Sequence, residues 1–98
     1  MPEMYFQIRW PDGQEESCYS PSLVVGDFLT PGQSYPVADF VHRCDKALSQ
    51  ASERVRQKYG YFCSSAMDQL GRIRERAEPF AAEPDGLVTV QSFKPGAR

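Results

Sequence analysis

No unbroken apolar run in the 98 residues is longer than three, as at Leu23-Val24-Val25. Nothing approaches the roughly 20 apolar residues that a membrane-spanning helix needs, so no membrane association is expected. Histidine occurs once, at His42, and the three cysteines, Cys18, Cys44 and Cys63, form no C-x-x-C. Structural zinc sites present close pairs of ligands, whereas His42-x-Cys44 sets its two members on different helix faces; no metal site is expected. The chain has no G-x-x-x-x-G-K or G-x-G-x-x-G to cradle a phosphate and no G-x-S-x-G elbow to expose a serine nucleophile, and no cofactor is expected. The adjacent acids Glu15 and Glu16 would face opposite sides of a strand and could not flank one substrate. Basic residues diluted by acids, and an isoelectric point of about 5.3, argue against nucleic acid as a partner.

What is present describes a folded module. Ninety-eight residues suit one domain, and 41% hydrophobic with 24% charged residues is an ordinary globular mixture rather than a disordered one. The net charge of −2 is unevenly spread. Residues 1–42 hold six acids against Arg9 alone, whereas residues 43–76 hold eight bases against four acids. An acidic entry beside a basic middle suggests self-association or docking to an acidic partner, with Arg72 and Arg76 as candidate interface residues, although helices carry solvated Arg and Lys anyway. Met1-Pro2-Glu3 leads straight into a strand pattern, so no secretory leader is expected. The odd cysteine count then fits a reduced, cytoplasmic setting.

Residues 4–10 alternate, with Met4, Phe6, Ile8 and Trp10 on one side and Tyr5, Gln7 and Arg9 on the other, the two-residue period of a half-buried strand. Pro11-Asp12-Gly13 reads as a turn, and residues 14–19 as a polar second strand whose acids suit a sheet edge. Residues 22–29 hold room for one short helical turn before Thr30-Pro31-Gly32 breaks it. From Pro36, the residues Val37, Phe40, Val41, Cys44, Leu48, Ala51 and Val55 fall at helical spacing, with Tyr59 extending the stripe and Gly60 placed to close the helix. A helix over 36–59 would span about 35 Å, long for so small a domain, so one end projects or meets another subunit. A second helix begins at Ser64 or Ser65, with Ala66, Met67, Leu70, Ile73 and Ala77 as its stripe and Pro79 near its end; Gly71 in its middle offers close helix approach. Leu87 to Phe93 is a third strand, and residues 94–98 should fray. The expected fold is α+β: a two-layer sandwich in β-β-α-α-β order, with a small antiparallel or mixed three-stranded sheet covered by a helical hairpin. It forms a single domain over 1–98, with a core from about 4 to 93. The third strand has no assigned partner.

Two segments carry the candidate binding residues. Tyr19, Ser20 and Ser22 leave a strand into a bend, where their hydroxyls could meet a ligand or simply make the turn. Tyr59-Gly60-Tyr61-Phe62-Cys63-Ser64-Ser65 concentrates aromatics between the helices. If exposed at the second helix's start, Cys63 would be the reactive thiol, with Ser64 and Ser65 as polar contacts and Tyr61 beside them. The competing reading has Tyr61 and Phe62 plugging the core over a buried, inert Cys63.

Three stretches resemble a known family: Arg9-Trp10-Pro11-Asp12-Gly13, Cys18-Tyr19-Ser20-Pro21-Ser22, and Ala51-Ser52-Glu53-Arg54-Val55-Arg56 followed by Tyr59-Gly60 and Cys63-Ser64. Together they look like the small nitrogen starvation response proteins of bacteria, over Met4 to Phe93, with Trp10 to Ser22 the most specific run. That resemblance implies a gene neighbourhood with a nitrilase, a radical SAM protein, an acetyltransferase, an AIR-synthase-like protein and a flavoprotein, and it carries over no catalytic residue. The expectation is a non-catalytic accessory or interaction protein of a nitrilase-associated pathway, working with protein partners from that cluster and as a homodimer. The alternatives are a small enzyme or covalent carrier using Cys63, and a metabolite-binding regulator.

Overall fold

In the computed structural model, which describes residues 2–61, 64–82 and 85–96, the alternating segment is strand β1, Met4–Arg9, and the polar one is β2, Glu15–Ser20. They pair antiparallel, with Phe6 opposite Cys18 and Ile8 opposite Glu16. The turn between them closes on two bonds: the Gly13 N–H donates to Trp10 O at 2.9 Å and the Trp10 N–H to Gln14 O at 2.8 Å. Gly13 takes φ 89°, the left-handed geometry of a three-residue hairpin loop.

The last strand runs from Leu87 to Pro95 and pairs antiparallel with β1, which settles the pairing that periodicity leaves open. A further strand, which the sequence reading treats as loop, lies on its other side. Ser34–Pro36 forms β3, the last strand becomes β4, and the sheet has four strands in the order β2-β1-β4-β3 rather than three. Three residues carry no period to read. Tertiary contact makes them a strand: Gly32, at φ 90°, donates to Val90 O at 2.7 Å, Val90 returns a bond to Gln33 O at 2.9 Å, and the chain is laid along the open edge of β4. Opposite Gln7 and Ile8 the β4 register slips by one residue. The bulge changes the parity of β4, so Val90 and Phe93, three apart, both turn toward the core. Beyond Phe93 the strand stays paired through Pro95, and the Gly96 N–H donates to Glu3 O at 2.9 Å; residues 97–98 of the expected tail lie outside the described residues.

Helix α1, Val37–Tyr59, begins directly where β3 ends, and its stripe is buried as expected from Val37 to Val55 except at Val41, which is only partly buried. Gly60 closes it at φ 86° with its N–H on Arg56 O at 2.7 Å. Tyr59 departs from the stripe and is 51% exposed, because the last turn of α1 runs beyond the elements that cover the rest. Helix α2, Ser64–Ala77, buries Ala66, Leu70, Ile73 and Ala77. Met67, expected among them, is 39% exposed, and Gln69 takes the inward place instead. Nothing lies within 4 Å of a Cβ added at Gly71, so it marks no close helix approach. The 3-10 turn Leu23–Asp27 realises the short helical turn expected after β2, with the Ser22 Oγ accepting from the Val24 N–H at 3.3 Å. A second such turn, Glu78–Phe80, follows α2 and folds Phe80 back into the core.

Both helices cover the sheet face that carries Met4, Phe6, Ile8, Cys18, Val88 and Val90. The two glycines in and after the helices should respond oppositely to the same substitution. Gly60→Ala forces a Cβ into left-handed backbone and should cost about 1 kcal/mol, whereas Gly71→Ala should gain about 0.5–1 kcal/mol of helix propensity. Denaturant melts of the two variants check both signs.

Candidate functional site

The first candidate segment is engaged inside the molecule. Ser20 and Ser22 are buried at 0% and 2% exposure. The Ser20 hydroxyl donates to Ser22 O at 2.7 Å and accepts from the Ser22 N–H at 3.2 Å. Arg54 reaches the Ser22 Oγ at 3.4 Å. Tyr19 donates its hydroxyl to the Glu3 carboxylate at 2.9 Å and stands edge-on to Tyr5, with ring centroids 5.6 Å apart. These groups build the bend that carries β2 into the 3-10 turn.

Arg76 is likewise engaged within the chain. It donates to Gln14 Oε1 at 2.9 Å, lies 3.5 Å from Glu16 Oε1, and sets its guanidinium 5.5 Å from the centroid of the Trp10 ring. Arg72 is exposed, with one long contact of 3.4 Å to Gln69 Oε1. The two arginines line a groove of about 450 Å³ with Gln14, Glu15, Glu16 and Glu75, so three carboxylates stand among the two guanidinium groups.

Cys18 and Cys44 are wholly buried. Burial pushes the Cys18 thiol far above its ordinary range, and the nearby Glu16 carboxylate adds to the shift against the opposing pull of Arg72. Burial does the same to Cys44, with Cys18 as a second cause. Both stay protonated and unreactive near neutral pH. His42 is exposed on α1 while Cys44, two residues on, faces the core, so helical geometry keeps imidazole and thiol apart. Among the described residues, no group of three or more His, Cys, Asp or Glu gathers to hold a metal ion, and no helix is long and apolar enough to cross a membrane. Cys63 lies outside the described residues.

The tip of the helical hairpin is different in kind. Tyr61 does not plug the core: it is 62% exposed, and Tyr59 beside it is 51% exposed, their ring centroids 6.2 Å apart. Lys58 holds its ammonium 5.7 Å from the centroid of the Tyr59 ring. Ser64 and Ser65 are exposed at the start of α2, and Met67 follows one turn on. Left-handed Gly60 ends α1 here, and the end of α1 and the start of α2 present aromatic and polar side chains to solvent.

A family model described as nitrogen starvation-induced protein NitG matches residues 5–93. The chain belongs to this family. No curated protein and no solved structure matches it. Membership ties the chain to nitrogen starvation. The run that carries the resemblance best, Trp10 to Ser22, makes the hairpin turn, the buried indole and the cap of the 3-10 turn.

Two residues that organise this surface escape a reading of motifs. Gln69 is 2% exposed and accepts from the Tyr19 N–H at 3.0 Å, sealing part of the β2 edge. A polar residue inside the 66/70/73/77 stripe is the signal that marks it. Arg43 donates to Asp39 at 2.9 Å and to Phe28 O at 2.8 Å and lies 4.6 Å from the centroid of the Tyr35 ring, fastening the long connection to α1.

The buried thiols set an alkaline limit on stability. Their folded pKa values lie above the unfolded ones, so the folded state holds protons that the unfolded chain releases. Stability should be full below about pH 8.5 and then fall, with a slope approaching 2.7 kcal/mol per pH unit for two thiols. Denaturant melts from neutral to alkaline pH measure the slope, which Cys18→Ala should halve. Arg76→Glu should lower stability by about 1 kcal/mol through repulsion at Glu16, while Arg72→Glu leaves it within about 0.5 kcal/mol. Paired melts of the two charge reversals separate the closely engaged Arg76 from the more exposed Arg72.

Proposed function

We propose that this protein is a non-catalytic accessory protein of the nitrogen-starvation response, which docks the tip of its helical hairpin onto a protein partner in the cytoplasm. The partner we favour is an enzyme of a nitrilase-containing gene cluster. The observation that carries this reading is the pair Tyr59 and Tyr61, both more than half exposed, with tilted rings whose centroids lie 6.2 Å apart at the end of α1. Tyrosine is enriched at protein interfaces because a rigid, amphipathic ring supplies contact area at little entropic cost. Lys58, Ser64 and Ser65 surround the rings with polar groups of the kind that rim such contacts. The charge favours a partner pocket that is acidic at its edge and apolar within.

The enzyme alternative draws no support from Cys18 or Cys44, whose burial keeps the thiolate from forming. A cytoplasmic setting agrees with two core cysteines that remain free.

A photo-crosslinking residue replacing Tyr61 in nitrogen-starved cells should give an adduct with one cluster enzyme, and the same residue replacing Lys46, exposed in the middle of α1, should not. Tyr59→Ala with Tyr61→Ala should weaken binding of that purified enzyme by at least about tenfold. Thermal melting should not change, since neither ring contributes to the core. Equal labelling from both positions, or binding indifferent to both rings, would refute the reading.

A further inference from the structure

A cleft of about 420 Å³ opens between the first turns of α1 and the end of α2. Val37, Val41, Ala77 and Phe80 give it apolar walls, and Arg74 and Glu78 stand at its edges. Its volume falls within the range of small-molecule sites, roughly 300–1,000 Å³. The cleft is also short. Its α1 wall runs from Val37 to Val41, about 6 Å of helix axis, which is too little to seat a partner's helix or strand and enough for one ring with a short arm.

The two edge charges are not equivalent. Glu78 follows Arg74 by four residues, the spacing at which side chains of a helix pair. Arg74 turns instead to α1, where its Nη2 donates to the Asp45 carboxylate at 2.6 Å, so its charge is already answered. Glu78 is exposed and has no ion-pair partner among the described residues. Arg74, Asp45 and Glu78 together leave the mouth of the cleft net negative, and the positive end of α1 carries Asp39 in its own first turn.

We propose that this cleft binds a small amphipathic amine, whose apolar body packs on Val41, Ala77 and Phe80 and whose protonated nitrogen pairs with the Glu78 carboxylate. The charges select the cation. A carboxylate ligand would meet Glu78 and Asp45 on its way to a guanidinium that is already engaged, and a neutral one would gain nothing from Glu78. The cleft lies at the beginning of α1 and the hairpin tip at its end, about 34 Å along a helix of 23 residues. The inference therefore stands apart from the docking role of the tip.

Titration of the full chain with phenethylamine, phenethyl alcohol and hydrocinnamate, which share a ring and a short arm and differ in charge, tests it. The amine should bind one to one and at least about threefold tighter than the alcohol, the strength of a solvent-exposed ion pair, with the carboxylate weakest. Amide resonances of Val41 and Ala77 should shift on binding, and those of Tyr59 and Tyr61 should not. Glu78→Gln should bring the amine to the affinity of the alcohol and leave the alcohol unchanged, which separates the ion pair from the hollow. Ala38→Trp, at an exposed lining position, should fill the hollow and abolish binding of every probe. Melting by circular dichroism confirms that each variant is folded. No saturable binding of the amine up to about 10 mM, an alcohol or carboxylate that binds as tightly, an amine preference that survives Glu78→Gln, or binding that survives Ala38→Trp would overturn the proposal.

Discussion

The indole of Trp10, 1% exposed, sits where the β1–β2 hairpin, α1 and the turn after α2 converge. Its ring meets Phe40 edge-on at 5.7 Å and stacks on Phe80 at 6.1 Å, and its N–H donates to Glu16 at 2.8 Å. A buried indole must satisfy its one donor, and here the acceptor comes from the strand across the hairpin. The carboxylate that receives it also attracts Arg76, which covers the ring from α2. One side chain thereby links hairpin, both helices and the turn that ends the helical layer. Truncation of such a residue typically costs about 3–5 kcal/mol, a large share of what holds a domain of this size.

The sheet built around that anchor has two open edges, and each is guarded differently. β2 carries Glu15 and Glu16, and Gln69 of α2 takes the outward N–H of Tyr19. β3 is three residues long and ends in proline, which has no N–H to offer a further strand. Between them the bulge in β4 brings Phe93 to the core, where strict alternation would have turned it outward. Small irregularities of this kind let nine residues of β4 serve both its neighbours and the helices.

Most polar groups with functional promise are engaged within the fold. Ser20 and Ser22 bond each other and the following turn, and Tyr19 is tied to Glu3 and Gln69. Cys18 and Cys44 behave as small apolar residues. What remains outward is the aromatic hairpin tip at one end of α1 and the hollow with its two edge charges at the other.

Much of the architecture follows from one-dimensional pattern. Alternation at Met4, Phe6, Ile8 and Trp10 identifies the strand, helical spacing from Val37 to Val55 identifies the long helix, and Gly60 marks its end, because local geometry needs only neighbours along the chain. Pattern also carries Trp10 to Ser22, the run by which the family resemblance is recognised. Three-dimensional contact decided the rest. Ser34–Pro36 is a strand only because β4 lies beside it, and Met67 yields its inward place to Gln69 only because a strand edge offers an N–H there. Tyr61, which follows the Gly60 cap rather than lying on the helix stripe, faces solvent rather than the core, and the cleft at the start of α1 joins residues some forty positions apart. Burial, edge pairing and the meeting of distant charges are properties of how the elements pack, and no spacing along the chain encodes them singly.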